Sequence, residues 1–109
     1  STQTGVEQTL VATISTDKDS YRDREKVYIT VTVKDQAGAP VSSASVSLTL
    51  TTANGTQTTY SGITGTTGEY LLSYRLNVRK TGIGTYYLDA TVSKAGYTSA
   101  TASNTFLVQ

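Results

Sequence analysis

The sequence predicts an all-β fold, an antiparallel sandwich or barrel of about seven short strands. Three observations lead to this prediction. Apolar and polar residues alternate with a period of two along several segments, turn signals with Gly, Asn or Asp separate those segments at short intervals, and no segment repeats its apolar residues with a helical period. The length of 109 residues fits one domain. Residues 1–8 are small and polar and predict a linker, so the domain is expected to cover residues 9–109.

Three strands are predicted in the first half of the chain. Apolar residues alternate over 10–14 and, most regularly, over 27–33, where valine and isoleucine take every second position. A turn-forming stretch with a proline, 35–40, ends the second strand because proline has no N–H to donate to a ladder. The third strand, 46–50, leads to Asn54-Gly55, which is a strong hairpin-turn signal.

Four further strands are predicted in the second half. Residues 58–63 alternate only weakly and predict an edge strand, and the turn over 64–68 separates them from a strand over 69–76. A strand over 86–92 follows a polar loop, and the last strand ends with Phe106 and Val108. The inward-facing residues of these strands are numerous enough to fill the layer between two sheets.

Composition and charge exclude several classes of function. Nine basic and eight acidic residues give a net charge of +1, so the chain has no basic footprint for nucleic acid, and no apolar run reaches membrane-spanning length. The chain has no cysteine, which excludes a disulfide framework, and no histidine base. It contains no Gly-x-Ser-x-Gly or phosphate-loop spacing. We therefore expect a monomer that is not an enzyme, needs no cofactor, and neither binds nucleic acid nor inserts into a membrane.

Several turn and strand motifs resemble those of known extracellular modules. Residues 35–41 (DQAGAPV) and 44–48 (ASVSL) resemble bacterial immunoglobulin-like domains of the invasin and intimin type, and also macroglobulin-type domains. Residues 67–70 (TGEY) and 84–88 (GTYYL) are similar to the starts of later strands in the same domains. Residues 94–97 (KAGY) resemble a corner found in modules of secreted bacterial hydrolases and proteases. The resemblance covers about residues 9 to 108.

The resemblance implies a fold, a setting and a kind of function. It implies an immunoglobulin-like β-sandwich of two antiparallel sheets with about seven strands. The implied setting is extracellular, either secreted or on a bacterial cell surface, with neighbouring domains of the parent chain as partners. The module would be a non-catalytic accessory or spacer, or alternatively a binding module for a polysaccharide or a host-surface protein. Arg24 departs from the resemblance, because relatives often have glycine before the glutamate of this loop.

An acidic loop provides a candidate metal site. Calcium takes several oxygen ligands from a compact loop, and Asp17, Asp19 and Asp23, with Glu25 nearby, are the candidate ligands. Basic residues alternate with these acids, and the loop lacks a glycine for a sharp ligand turn. A solvated, self-neutralised loop without metal is therefore the preferred interpretation, and we expect thermal stability to be the same with calcium and with chelator.

Tyrosines provide a candidate binding site, because an aromatic ring on a flat surface can stack on a sugar. Tyr21, Tyr60 and Tyr97 lie in or near predicted loops and are the candidate binding residues. Tyr28 and Tyr87 face outward, but their strands belong to opposite sheets, so they do not form one platform. Alternation assigns three further tyrosines to core packing: Tyr70, Tyr74 and Tyr86.

Asn104 is expected to point inward, because it shares the alternation of Phe106 and Val108. A buried amide needs hydrogen bonds, which backbone groups can supply. The other interpretation is a Lys–Asn isopeptide cross-link, as in collagen-adhesin B-type domains. Lys26 and Lys34 both face outward in their strand, so the backbone-bonded amide is preferred.

Overall fold

The computed structural model describes residues 8–109 and is almost entirely β-structure. The strands are β1 (Gln8–Thr16), β2 (Ser20–Tyr21), β3 (Lys26–Asp35), β4 (Ser45–Thr51), β5 (Gln57–Ile63), β6 (Glu69–Arg75), β7 (Gly84–Ser93), β8 (Tyr97–Thr98) and β9 (Ala100–Val108). A one-turn helix, α1 (Val78–Thr81), lies in the polar loop between β6 and β7. The seven longer strands match the seven predicted ones. Within residues 8–109, no helix is long and apolar enough to cross a membrane.

The strands form two sheets that pack face to face, as predicted. One sheet has four strands in the order β6-β3-β1-β8, and the other has five in the order β2-β9-β7-β4-β5. All pairings between the longer strands are antiparallel. The two additional strands, β2 and β8, pair in parallel with β9 and β1. They arise because the chain changes from one sheet to the other just after β1 and just before β9.

The core lies between the sheets and follows the predicted alternation. Every second residue of β3, β4 and β7 is buried, and the intervening residues face solvent. Tyr21 and Phe106 pack edge to face at the end of this layer, with ring centroids 5.3 Å apart. The hydroxyl of buried Thr64 has both a hydrogen-bond acceptor and a donor: it donates to the Val41 carbonyl (2.7 Å) and accepts from the Ala44 N–H (2.9 Å).

The chain enters and leaves the sandwich at opposite ends. Gln8, at the start of β1, lies beside Tyr97, which precedes β9, whereas Tyr21, which follows β1, lies beside Val108 at the end of β9. Strands β1 and β9 therefore run in the same direction on facing sheets. We call the end with Gln8 the entry end, and the end with Val108 the exit end. Gln8 is already in β1, and the rest of the predicted linker, residues 1–7, lies outside the described residues.

Candidate functional site

Asp17 and Tyr21 fix the acidic loop to the exit end of the core. The Tyr21 hydroxyl donates to Asp17 Oδ1 at 2.5 Å and accepts from the Lys18 N–H at 2.8 Å, and the Tyr28 N–H also donates to Asp17 Oδ1 at 3.2 Å. The hydrogen bond from Tyr21 lowers the pKa of Asp17. Burial, reinforced by the Asp17 carboxylate, raises the pKa of Tyr21 to about 12. At neutral pH the Tyr21 hydroxyl is therefore protonated and the Asp17 carboxylate is charged.

Two further carboxylates of this loop make hydrogen bonds within the protein, whereas Asp19 is exposed and its backbone carbonyl accepts from the Leu107 N–H at 3.1 Å. Glu25 accepts from the Arg22 N–H at 2.7 Å and pairs with Lys18 Nζ at 3.3 Å, and both contacts lower its pKa, the backbone one more. Asp23 accepts from the Val78 N–H at 3.1 Å and so ties the loop to α1. Among residues 8–109, no three His, Cys, Asp or Glu side chains form a group that could hold a metal ion. The absence of a metal effect on stability remains a prediction.

The exit end carries a cleft that sequence reasoning did not find. It has a volume of about 440 Å³, and its lining residues are Asp23, Arg24, Arg75, Leu76, Asn77 and Arg79. Backbone hydrogen bonds join the loop before β3 to the end of β6 in this cleft. The Arg24 N–H donates to the Leu76 carbonyl (3.2 Å), and the Leu76 N–H donates to the Glu25 carbonyl (2.9 Å). The one sequence feature that pointed to this cleft is Arg24, which stands where similar domains often have glycine. Nothing local indicated that Arg75 and Arg79 would lie beside it.

The structure does not bring the three candidate tyrosines together. Tyr21 is fully buried, so its ring packs in the core and offers no surface. Tyr60 is half-buried in β5, where burial raises its pKa, and Tyr97 is half-buried in β8 at the entry end. Tyr28 and Tyr87 are exposed on opposite sheets, as predicted.

Asn104 takes the backbone-bonded arrangement. Its Nδ2 donates to the Ile14 carbonyl at 2.9 Å, and its Oδ1 accepts from the Thr105 N–H at 2.8 Å. The first of these bonds runs from β9 to β1 and therefore links the two sheets. The amide nitrogen that an isopeptide cross-link would use is thus directed at a carbonyl oxygen.

A comparison with models of protein families identifies the family of this chain. The model of the MG2 domain matches residues 12–108, which is most of the chain. The chain belongs to the MG2 family. The MG2 domain is an immunoglobulin-type, macroglobulin-like module, so the resemblance of the turn motifs to macroglobulin-type domains is confirmed. A comparison with curated proteins gives no match.

Solved structures share the fold of this MG2 domain at low sequence identity. The CARDB domain of a Pyrococcus furiosus protein, crystallised in complex with di-metal ions, is 22% identical with a TM-score of 0.58, and the match covers 100% of this chain and 95% of that one. A tetra-tandem repeat from the extending region of a large adhesion protein is 20% identical with a TM-score of 0.61. That match covers 91% of this chain and 24% of the adhesion protein's chain.

Proposed function

We propose that this MG2 domain is a non-catalytic spacer or accessory module of a larger extracellular bacterial protein. The proposal rests on where the chain enters and leaves the domain: it enters at Gln8 and leaves at Val108, at opposite ends of the sandwich. A module of this kind adds its whole length to a chain of domains. At about 3.3 Å per residue, a nine-residue terminal strand such as β1 spans about 30 Å.

Three further observations support a positional role. The outer face of the five-stranded sheet carries mostly serine and threonine, with hydrogen bonds such as that between the Thr49 and Thr59 hydroxyls (3.1 Å). A structurally similar module occurs as a tandem repeat in the extending region of an adhesion protein. The composition also lacks the histidine and cysteine on which much catalysis depends. The proposed partners are neighbouring domains of the parent chain, outside the cell.

The spacer function predicts how a tandem array behaves. Two, three and four copies of the chain, joined in series, should show a maximum dimension in small-angle X-ray scattering that rises by a nearly constant increment per copy. The matched control joins the same copies through long Gly/Ser linkers, whose dimensions grow only with the square root of linker length. Compact arrays, with dimensions no larger than those of packed globules, would contradict the spacer function.

The alternative function, binding to a polysaccharide or a host-surface protein, predicts a different result. We expect a single copy not to be retained on cellulose, chitin, starch or host matrix protein at micromolar concentration. Retention that disappears in Tyr97→Ala would replace the spacer with a binding module.

A further inference from the structure

The cleft at the exit end carries positive charge that the loop does not neutralise. Arg24, Arg75 and Arg79 are exposed, and within residues 8–109 their guanidinium groups form no ion pair and no side-chain hydrogen bond. The carboxylate in the cleft, Asp23, accepts from the Val78 N–H at 3.1 Å. Three guanidinium groups and one carboxylate leave a net charge of +2 around the cleft.

Arg24 occupies a backbone position that favours glycine. Its φ is +70°, and Ser43 is the one other non-glycine residue with positive φ in the part of the chain that the structure describes. A left-handed conformation is unfavourable for a residue with a Cβ, because the Cβ then approaches the backbone carbonyl oxygen. Among residues 8–109 the Arg24 side chain forms no ion pair and no hydrogen bond that would hold it in this conformation, so its guanidinium group is available to a partner outside the domain.

An exposed track leads into the cleft along the outer face of β3 and β6. In this face Lys26 lies opposite Arg75, Tyr28 opposite Ser73, and Thr30 opposite Leu71. Tyr28 is 53% exposed and Leu71 69% exposed, and both border a shallow depression. On this face the exposed ring of Tyr28 therefore lies next to the pair of basic residues Lys26 and Arg75, with no other outward-facing pair between them. The track covers the outer faces of β6 and β3, about 10 Å across at about 4.8 Å per strand, and β1 continues the same face beside β3.

We propose that this track binds an acidic polysaccharide. A sugar ring stacks on Tyr28, and the carboxylate or sulfate groups of the polymer are held by Arg24, Arg75 and Arg79. Guanidinium groups suit this role because their planar N–H pairs bind carboxylate oxygens in a bidentate manner. The inference does not depend on the spacer function; it gives the alternative function, binding to a polysaccharide, a ligand class and a site.

The shape and chemistry of the track favour a polysaccharide over other polyanions. A stable protein interface buries about 800 Å² on each partner around an apolar centre. The track has two exposed apolar side chains, Tyr28 and Leu71, and Leu76 in the cleft is buried. Single-stranded nucleic acid stacks successive bases on several aromatic rings, and the track offers one. One exposed ring next to several cations matches a chain of sugar rings with charged substituents.

Calorimetric titration of the full chain with polygalacturonate tests the proposal. We expect binding that weakens as salt is added, and no heat from dextran of similar length, which is uncharged. Dextran sulfate forms a second arm, and binding to either acidic polymer supports the proposal. Binding to neither polymer, or equal binding to poly-glutamate, would overturn it.

Variants locate the site. Arg24→Gly and Tyr28→Ala should each weaken binding about tenfold or more, since losing a charge-assisted hydrogen bond or a stacked ring removes one to a few kcal/mol. Lys34→Gln and Tyr87→Ala are the matched controls, because they remove the same kinds of group at the entry end and on the opposite sheet. Thermal melts of each variant exclude unfolding as the cause. If the controls weaken binding as much as Arg24→Gly and Tyr28→Ala do, the track is not the site.

Discussion

Tyr21 is the residue on which the exit-end loop depends. Its ring is buried against Phe106, and its hydroxyl both donates to Asp17 and accepts from the Lys18 N–H. The hydroxyl therefore satisfies two polar groups at the edge of an apolar layer. Removing it leaves the Lys18 N–H without this acceptor and leaves Asp17 Oδ1 with the Tyr28 N–H as its remaining donor, and an unpaired donor at a partly buried position is costly.

Tyr21→Phe should lower the free energy of unfolding by about 1–3 kcal/mol at neutral pH. The matched control is Tyr87→Phe, which changes an exposed ring and should have an effect below about 0.5 kcal/mol. Urea denaturation followed by circular dichroism measures both. If the two variants are equally stable, the Tyr21 hydroxyl does not hold the loop.

The same variant has a signature in pH. In the folded state the pKa of Tyr21 is about 12, above the ordinary 10.0, so its stabilisation is complete below pH 10 and is lost as pH rises toward 12. Asp17 has a lowered pKa, so its contribution is present above its ordinary pKa of 3.8 and is lost as pH falls. We expect Tyr21→Phe to flatten the alkaline loss of stability. An unchanged alkaline slope would assign that loss to other groups.

Strands β5 and β6 are in contact along one side of the sandwich, where the two sheets end. They are the outer strands of the two sheets on the same side of the molecule. The Tyr70 ring of β6 lies against the Cα of Gly62 in β5, so closely that a Cβ at Gly62 would overlap the ring. The glycine is therefore required by the close approach of an aromatic ring.

Gly62→Ala should destabilise the domain by about 1–3 kcal/mol, because the ring must leave its position to accommodate the methyl group. Gly65→Ala is the matched control, since a Cβ there meets only a backbone oxygen at 3.9 Å. Chemical denaturation compares the two variants. The double variant Gly62→Ala with Tyr70→Ala should recover part of the loss, and a loss that persists in full would place the strain elsewhere.

Local pattern predicted the elements that carry their own periodicity. The strand over 27–33, the weak edge strand over 58–63 and the outward positions of Tyr28 and Tyr87 all follow from alternation. The two-residue strands β2 and β8 did not, because two residues have no period and their pairing is set by distant strands. Tyr21 looked like a loop residue for the same reason.

The arginine cleft required the tertiary pairing of β3 with β6. About fifty residues separate Arg24 from Arg75, and the register that places Lys26 opposite Arg75 brings them to one corner. The sequence showed that Arg24 replaced a glycine, but not that its backbone is left-handed or that two other arginines are its neighbours. Charge totals also concealed the site, since the net charge of +1 averages over both ends of the molecule.

Tension applied between the entry and exit ends of the molecule would act on β1 and β9. Each terminal strand pairs along most of its length with one long neighbour, β3 or β7, and over two residues with β8 or β2 at one end. Because β1 and β9 lie on different sheets, they are held together by the core between them, by the short pairings of β2 with β9 and of β8 with β1, and by the Asn104 bond to the Ile14 carbonyl. That amide is therefore a polar link between the two strands that a spacer places under load.

Asn104→Ala should lower the free energy of unfolding by about 1–3 kcal/mol, because the Ile14 carbonyl loses its partner at a partly buried position. If Asn104 joins the sheets under load, the variant should also unfold at lower force when single molecules are stretched between residues 8 and 109. Thr49→Ala is the matched control, since its hydroxyl bonds to Thr59 within one sheet and on the exposed face. A force reduced equally in both variants, or in neither, would show that the Asn104 bond does not hold the two sheets together under load.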